Sequence, residues 1–310
     1  MAYRQFRFGV QGRTTGPRDE WLAMIRRLED LGFSSYLALD HFVRGLDPVA
    51  SLMAAAMASE HLRIGSFVFD NDFRHPASLA KAAATLDVLS GGRLEFGIGA
   101  GWLKEEYDQT GMPFDSAGVR ITRLTEAVRL IKQIFTEEQP ISFKGEHYTV
   151  TDLICPPRPV QKPYPPFIIG GGSKRILTFA GQEADIVGIT TRARTDGFKD
   201  TTDNTAEATA QKISWVREAA GERFDQIELN VIVSDIQVTA DRATVAHQIA
   251  GQHGTTPADV LASPQILIGT VEQMVDALQE RRALYGFSYI VVTELNMDKL
   301  APVVAKLAET

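Results

Sequence analysis

The feature that most restricts this chain is an alternation repeated eight times: a short apolar or β-branched run, a turn, then a stretch with helical periodicity. The runs lie at residues 6–11, 34–40, 62–69, 94–100, 167–171, 185–190, 227–236 and 288–293. Several are apolar on both faces, as in Phe96-Gly97-Ile98-Gly99-Ala100. Strands of a parallel sheet covered by helices on both sides need that pattern. Pro17, Pro48 and Pro76 precede the helical stretches 18–31, 49–59 and 77–89, and Thr270 precedes 271–284. Gly32, Gly91 and Gly286 stand where three of these helices end, because glycine accepts the left-handed conformation that closes a helix.

Eight such units in 310 residues predict an α/β fold, a (β/α)8 TIM barrel, rather than an open doubly wound sheet. The open sheet's dinucleotide fingerprint is missing, since Gly9-Val10-Gln11-Gly12 lacks its three-glycine spacing. Residues 1–310 are therefore expected to form one barrel domain with two interruptions. Between strands four and five, residues 136–166 carry Pro140, Pro156, Pro157, Pro159, Pro163, Pro165 and Pro166, too many for a helix or a central strand. An insertion running over the surface is expected there. After the sixth strand, residues 191–205 are polar and charged. Loops that follow barrel strands build the catalytic mouth, so this one is expected to act as a lid.

A formal charge of −7 and the lack of a basic stripe argue against nucleic acid as a partner. The single Cys155 permits no internal disulfide and suits a reducing, cytoplasmic setting. The first residues do not read as a signal peptide, and no run of about 18 apolar residues is available to cross a membrane.

In a barrel, chemistry is sought at strand C-termini. The second strand ends Leu39-Asp40-His41, an acid beside an imidazole that can move a proton near neutral pH. The alternative is a solvated loop pair. The third ends Phe67-Val68-Phe69-Asp70, alternating as a strand does before a polar loop. The fourth gives Gly97-Ile98-Gly99-Ala100-Gly101-Trp102, where glycines admit either a ligand or closely packed backbone. The fifth leads into Gly170-Gly171-Gly172-Ser173-Lys174-Arg175 and a helix, and free amides at a helix start backed by cations form an anion site. The six histidines lack metal-ligand spacing, and no Gly-x-Ser-x-Gly elbow occurs.

Taken together, these strings resemble the luciferase-like monooxygenase superfamily and, within it, the branch that uses coenzyme F420, a deazaflavin. The most specific is Ser90-Gly91-Gly92-Arg93-Leu94 running into Gly97-Ile98-Gly99-Ala100-Gly101-Trp102, with Glu106-Tyr107 and Gly111 beyond. Leu37-Ala38-Leu39-Asp40-His41, Phe73-Arg74-His75-Pro76 and Pro166-Phe167-Ile168-Ile169-Gly170-Gly171 extend it along most of the chain. The resemblance implies a cofactor across the C-terminal mouth, a homodimer, and a cis peptide at Phe67–Val68 behind the cofactor ring. It also implies that Asp40 and His41 face ring and substrate, that Asp70, Ala100, Gly101 and Trp102 contact the cofactor, and that Gly170 to Ser173 hold its phosphate. One departure stands out. The branch that oxidises sugar phosphates carries a glutamate where Trp102 stands, so that substrate is disfavoured.

The expected activity is hydride transfer between coenzyme F420 and a small organic substrate, with FMN-dependent monooxygenation as the alternative. His41, held by Asp40 or a neighbour, is expected to move the proton. Phe69 and Trp102 are expected to wall the pocket, with Glu294 as a second acid. Arg44, Arg74, Lys174, Arg175, Arg192, Arg194 and Lys199 are expected to meet the cofactor's oligoglutamyl tail. A cofactor carrier without turnover, or a hydrolase or aldolase working without redox cofactor, are the readings from other classes.

Overall fold

The computed structural model describes residues 4–194 and 196–308. Its eight main strands are β1 (Arg7–Gly12), β2 (Ser35–Ala38), β3 (Arg63–Ser66), β4 (Leu94–Gly99), β5 (Phe167–Gly171), β6 (Ile186–Ile189), β7 (Glu228–Val233) and β8 (Phe287–Thr293). Each pairs in parallel with its sequence neighbours, and β1 pairs with β8 from Arg7↔Tyr289 to Gln11↔Thr293, which closes the ring. All eight fall within or beside the runs read from the sequence. A large apolar cluster fills the space between barrel and helices, where Phe8, Val10, Ile64, Phe96 and Phe167 meet Ile25, Leu79 and Leu130.

Inside the ring, side chains form layers. At the starts of the strands a buried ionic cluster plugs the barrel. Glu95, 1% exposed, accepts from Arg7 at 2.5 Å, from Arg63 Nε at 2.8 Å and from the Tyr289 hydroxyl at 3.1 Å. Arg7 also bridges to Glu228 and lies 3.6 Å over the Tyr289 ring. Above it, Leu37, Ile168, Ile186, Tyr289 and Val291 make an apolar layer. With the lower end filled, the barrel opens at its C-terminal mouth.

Three local features differ from the sequence reading. The third run is not one strand: β3 stops at Ser66, the Phe67–Val68 peptide is cis, and pairing resumes at Phe69↔Ile98. The glycines of β4 serve that bulge. A Cβ on Gly97 would stand 1.9 Å from the Ser66 carbonyl oxygen, and one on Gly99 2.6 Å from Val68 Cγ2. Protein atoms, not a ligand, demand those two glycines. The seventh run breaks at Ser234, whose amide is taken by the Gln265 carbonyl. From there Asp235–Val238 leaves the barrel and pairs with Ile266–Gly269 in a two-stranded parallel ribbon.

The proline-rich insertion between β4 and β5 also holds more order than expected. Ile141–Lys144 and Thr149–Leu153 form an antiparallel hairpin on the outside of the barrel. The long loop after β6 is present. It is pinned by an antiparallel bridge between Ala193 and Lys199 and by a short 3-10 turn at Thr201–Asp203, while position 195 lies outside the described residues.

Candidate active site

The C-terminal mouth opens into a cavity of about 910 Å³. Asp40 and His41 line it from the end of β2, Phe67, Val68 and Asp70 from the bulge, and Ala100, Gly101 and Trp102 from the end of β4. Gly170, Gly171, Gly172 and Ser173 face it from β5. Residues far apart in sequence thus converge on one wall-lined space large enough for a cofactor and a small second molecule.

The β5 end has the chemistry of an anion site. The helix Lys174–Glu183 starts at Ser173, whose side chain does not cap it, so the first-turn amides have no side-chain acceptor from that residue. Gly172 is required by packing, because a Cβ there would meet the backbone of Thr191 and Arg192 within 2.5 Å. This contact locks the loop after β6 against the anion-binding turn. A flavin-type phosphate fits here: the amides supply donors, and Gly170 to Ser173 line the cavity.

His41 is oriented by a residue other than Asp40. Its Nδ1 lies 2.7 Å from Glu106 Oε2, and Glu106 also accepts the amides of Phe42 at 2.7 Å and Val43 at 3.2 Å. A carboxylate already accepting two N–H bonds requires a donor at Nδ1, which leaves Nε2 with the exchangeable site toward the cavity. Trp102 stands edge-on to the imidazole with centroids 5.9 Å apart. Burial pushes the His41 pKa below its ordinary value, and Glu106 opposes that shift. Neutral imidazole is therefore the resting form at pH 7, suited to accept a proton.

Asp40 has a different partner. It forms a two-pronged ion pair with Arg74, with Nη2 to Oδ1 at 3.0 Å, and accepts the Asp70 amide at 2.9 Å. It therefore braces the bulge rather than the imidazole. Asp70 is buried beside it, and burial raises its carboxyl to about 7 despite bonds from the Asp72 amide and the Tyr107 hydroxyl. Its folded pKa lies above the ordinary aspartate value of 3.8, so ionised Asp70 opposes folding. That opposition grows as pH rises from 3.8 toward 7 and is complete above. Asp70→Asn keeps an acceptor for both donors. The variant is expected to be more stable than the parent at pH 8, by about 2–4 kcal/mol, and equal to it at pH 4. Thermal melts at the two pH values check this, and a lower midpoint at pH 8 would contradict it.

Two residues expected in the pocket are placed elsewhere. Phe69 is fully buried among the outer aromatics, its ring 5.8 Å from that of Phe96, because the bulge reverses the side on which position 69 points. Trp102 remains in the wall without it. Glu294 sits buried in the turn after β8, accepts from Thr14 at 3.3 Å and does not line the cavity. The mouth cations are also largely committed: Arg74 to Asp40, Arg192 to Asp200 and Asp203, and Arg194 to Asp196. Lys199 is turned inward, its ammonium 4.9 Å from the Trp102 ring centroid, and burial lowers its pKa to about 8.

In the sequence Glu106 stands out only as part of the string that carries the family resemblance. Nothing in local spacing links it to His41, 65 positions away. Arg13, which also lines the cavity, carries no sequence signal beyond its place after β1.

This barrel, with its bulged third strand and its amide turn after β5, defines a family. The chain belongs to the luciferase-like monooxygenases, whose family model matches residues 3–253. It is similar to an F420-dependent glucose-6-phosphate dehydrogenase of Amycolatopsis mediterranei (strain U-32), at 33% identity over 178 residues, 55% of this chain and 52% of that protein. It is also similar to an FMNH(2)-dependent dimethylsulfone monooxygenase of Pseudomonas putida, at 29% identity over 182 residues, 57% of this chain and 50% of the other. The chain thus spans about half the length of these curated relatives. In fold it matches the coenzyme F420 dependent tetrahydromethanopterin reductase of Methanopyrus kandleri, with a TM-score of 0.77, 20% identity and coverage of 98% and 99% of the two chains.

Proposed function

We propose that this protein is a coenzyme F420-dependent oxidoreductase that passes hydride between the deazaflavin and a small organic substrate. The observation that carries the proposal is the pairing, in one cavity, of an uncapped amide turn at Gly171 to Ser173 with an oriented imidazole at His41. Bound deazaflavin supplies a two-electron carbon centre for hydride transfer. The protein's own residues do the rest. The turn after β5 would hold the phosphate, Val68 and the bulge would bear the ring, and Trp102 would keep water from the cavity. His41 Nε2 accepts the proton when substrate is oxidised and returns it when substrate is reduced, while Glu106 fixes the ring's orientation.

FMN is the competing cofactor, favoured by the likeness to the dimethylsulfone monooxygenase; relatives named for F420 support the deazaflavin. Trp102, standing where the sugar-phosphate branch carries a glutamate, argues for another substrate. A homodimer is part of the same reading only through the family resemblance, and one unpaired, buried cysteine, Cys155, suits a reducing setting; among the described residues no helix is long and apolar enough to cross a membrane. Equilibrium titration of purified apoprotein tests the cofactor. Micromolar deazaflavin binding with FMN weaker by about tenfold or more is expected; micromolar FMN binding with none for deazaflavin would reverse the assignment.

A further inference from the structure

Arg13 follows β1 and Arg44 follows β2, and both line the cavity. Among the described residues neither guanidinium has a hydrogen bond or an ion pair, and the Arg44 Nε is buried from solvent with no acceptor. The two cations are close enough that Arg44, after burial, is the main influence lowering the Arg13 pKa. Other charges around the cavity have partners: Asp235 accepts from Gln237, and Lys199, which has no ion pair, donates to the Thr191 carbonyl. Asp40 neutralises Arg74, Arg120 donates to the carbonyls of Ala100 and Asp115, and Asp259 caps its own helix. Glu294 acts on Arg13 from a distance but forms no ion pair with it, being bonded to Thr14.

Two guanidinium groups lining one cavity without an ion pair, with Glu294 acting on Arg13 only through space, oppose folding. A site keeps such a pair when a ligand brings the anion. Guanidinium groups suit carboxylate and phosphonate oxygens because their planar forks match two oxygens at once. Location decides which ligand is meant. In a ring of eight strands, β1 and β2 stand across from β5 and β6, so the arginines face the cavity from the rim opposite the amide turn. A cofactor whose phosphate and acidic tail start at β5 leaves that rim to the second molecule. Arg44 follows His41 by three positions and lines the same cavity, which puts the bound acid group close to the proton-transfer centre.

We propose that Arg13 and Arg44 together bind the acid group of the substrate, so that the second molecule is a small organic anion whose reacting carbon lies near that group. The proposal rests on the deazaflavin reading only for the identity of the other ligand. Calorimetric titration of deazaflavin-loaded protein and of apoprotein with phenylacetate, benzylphosphonate and neutral phenylacetamide tests it. At least one anion is expected to bind the loaded protein about tenfold tighter than the amide or more. The preference should vanish in the Arg13→Gln/Arg44→Gln variant while deazaflavin affinity is unchanged. The tighter anion tells carboxylate from phosphonate recognition. Should the double variant misfold, Arg13→Gln alone, at an exposed residue, is expected to weaken the preference. Equal binding of anions and amide, or a preference that survives loss of both arginines, overturns the proposal. A protein that takes up no deazaflavin yet keeps an arginine-dependent anion preference overturns the cofactor reading and upholds the anion site.

Discussion

Replacing His41 with alanine is expected to lower turnover by about 10²–10⁴-fold and leave deazaflavin affinity nearly unchanged. The imidazole supplies proton transfer through Nε2, whereas cofactor binding rests on the turn after β5 and the bulge, which the substitution does not touch. Glu106→Gln separates orientation from proton transfer. With its carboxylate gone, the influence that raises the His41 pKa disappears. The acidic limb of substrate oxidation, already below 6.5, should then move further down as turnover falls. Single-turnover reduction of deazaflavin across pH checks both variants. Full activity in His41→Ala would take the imidazole out of the reaction, and an unshifted limb in Glu106→Gln would take away its positioning role.

The largest effect on stability is expected from Glu95→Ala, about 3–5 kcal/mol. Burial alone would raise the Glu95 carboxyl, but Arg7 and Arg63 hold it below the ordinary range. Deleting it takes the shared carboxylate from Arg7, Arg63 and the Tyr289 hydroxyl at the closed end of the barrel, leaving Arg7 to Glu228, Arg63 to Gln161 and the Leu94 carbonyl, and Tyr289 to Ser35. The pH dependence has a definite sign. A carboxyl whose folded pKa is depressed stabilises the fold above its unfolded value near 4.5, and that contribution fades as pH falls through the folded pKa. Denaturant midpoints of parent and variant should therefore differ most at neutral pH and converge in acid. A midpoint within experimental error of the parent at pH 7 would mean that the ionic plug does not hold the barrel.

The barrel was legible because its strands are covered on both faces. Phe96 and Ile98, or Ile168 and Ile169, read as apolar whichever way they point, and the glycines and prolines between runs mark the turns. Where one face is open, the signal disappears. In Thr149–Leu153 no residue is fully buried, so the hairpin in the insertion has no alternation to read. Ile236 continues the apolar pattern past Ser234, and only the tertiary bond from Gln265 shows that the chain has left the barrel. Phe69 turns away from the cavity because the two-residue bulge at Phe67–Val68 interrupts the alternation of the third run.

The site divides along the same line. Asp40, His41 and the Gly170 to Ser173 turn were legible because they sit at strand ends in short strings with recognisable chemistry. Pairings were not. His41 with Glu106, Asp40 with Arg74 and Arg13 beside Arg44 each join separate loops, and a sequence carries no local trace of which loops the barrel brings together.

A crystal structure of the protein grown with deazaflavin is the decisive measurement. Phosphate density on the amides of Gly171 to Ser173, with the ring against Val68 and one face toward His41, is the expected result. A ring seated at the Arg13–Arg44 rim with its phosphate away from β5, or a ligand bound outside the barrel mouth, would contradict the assignment.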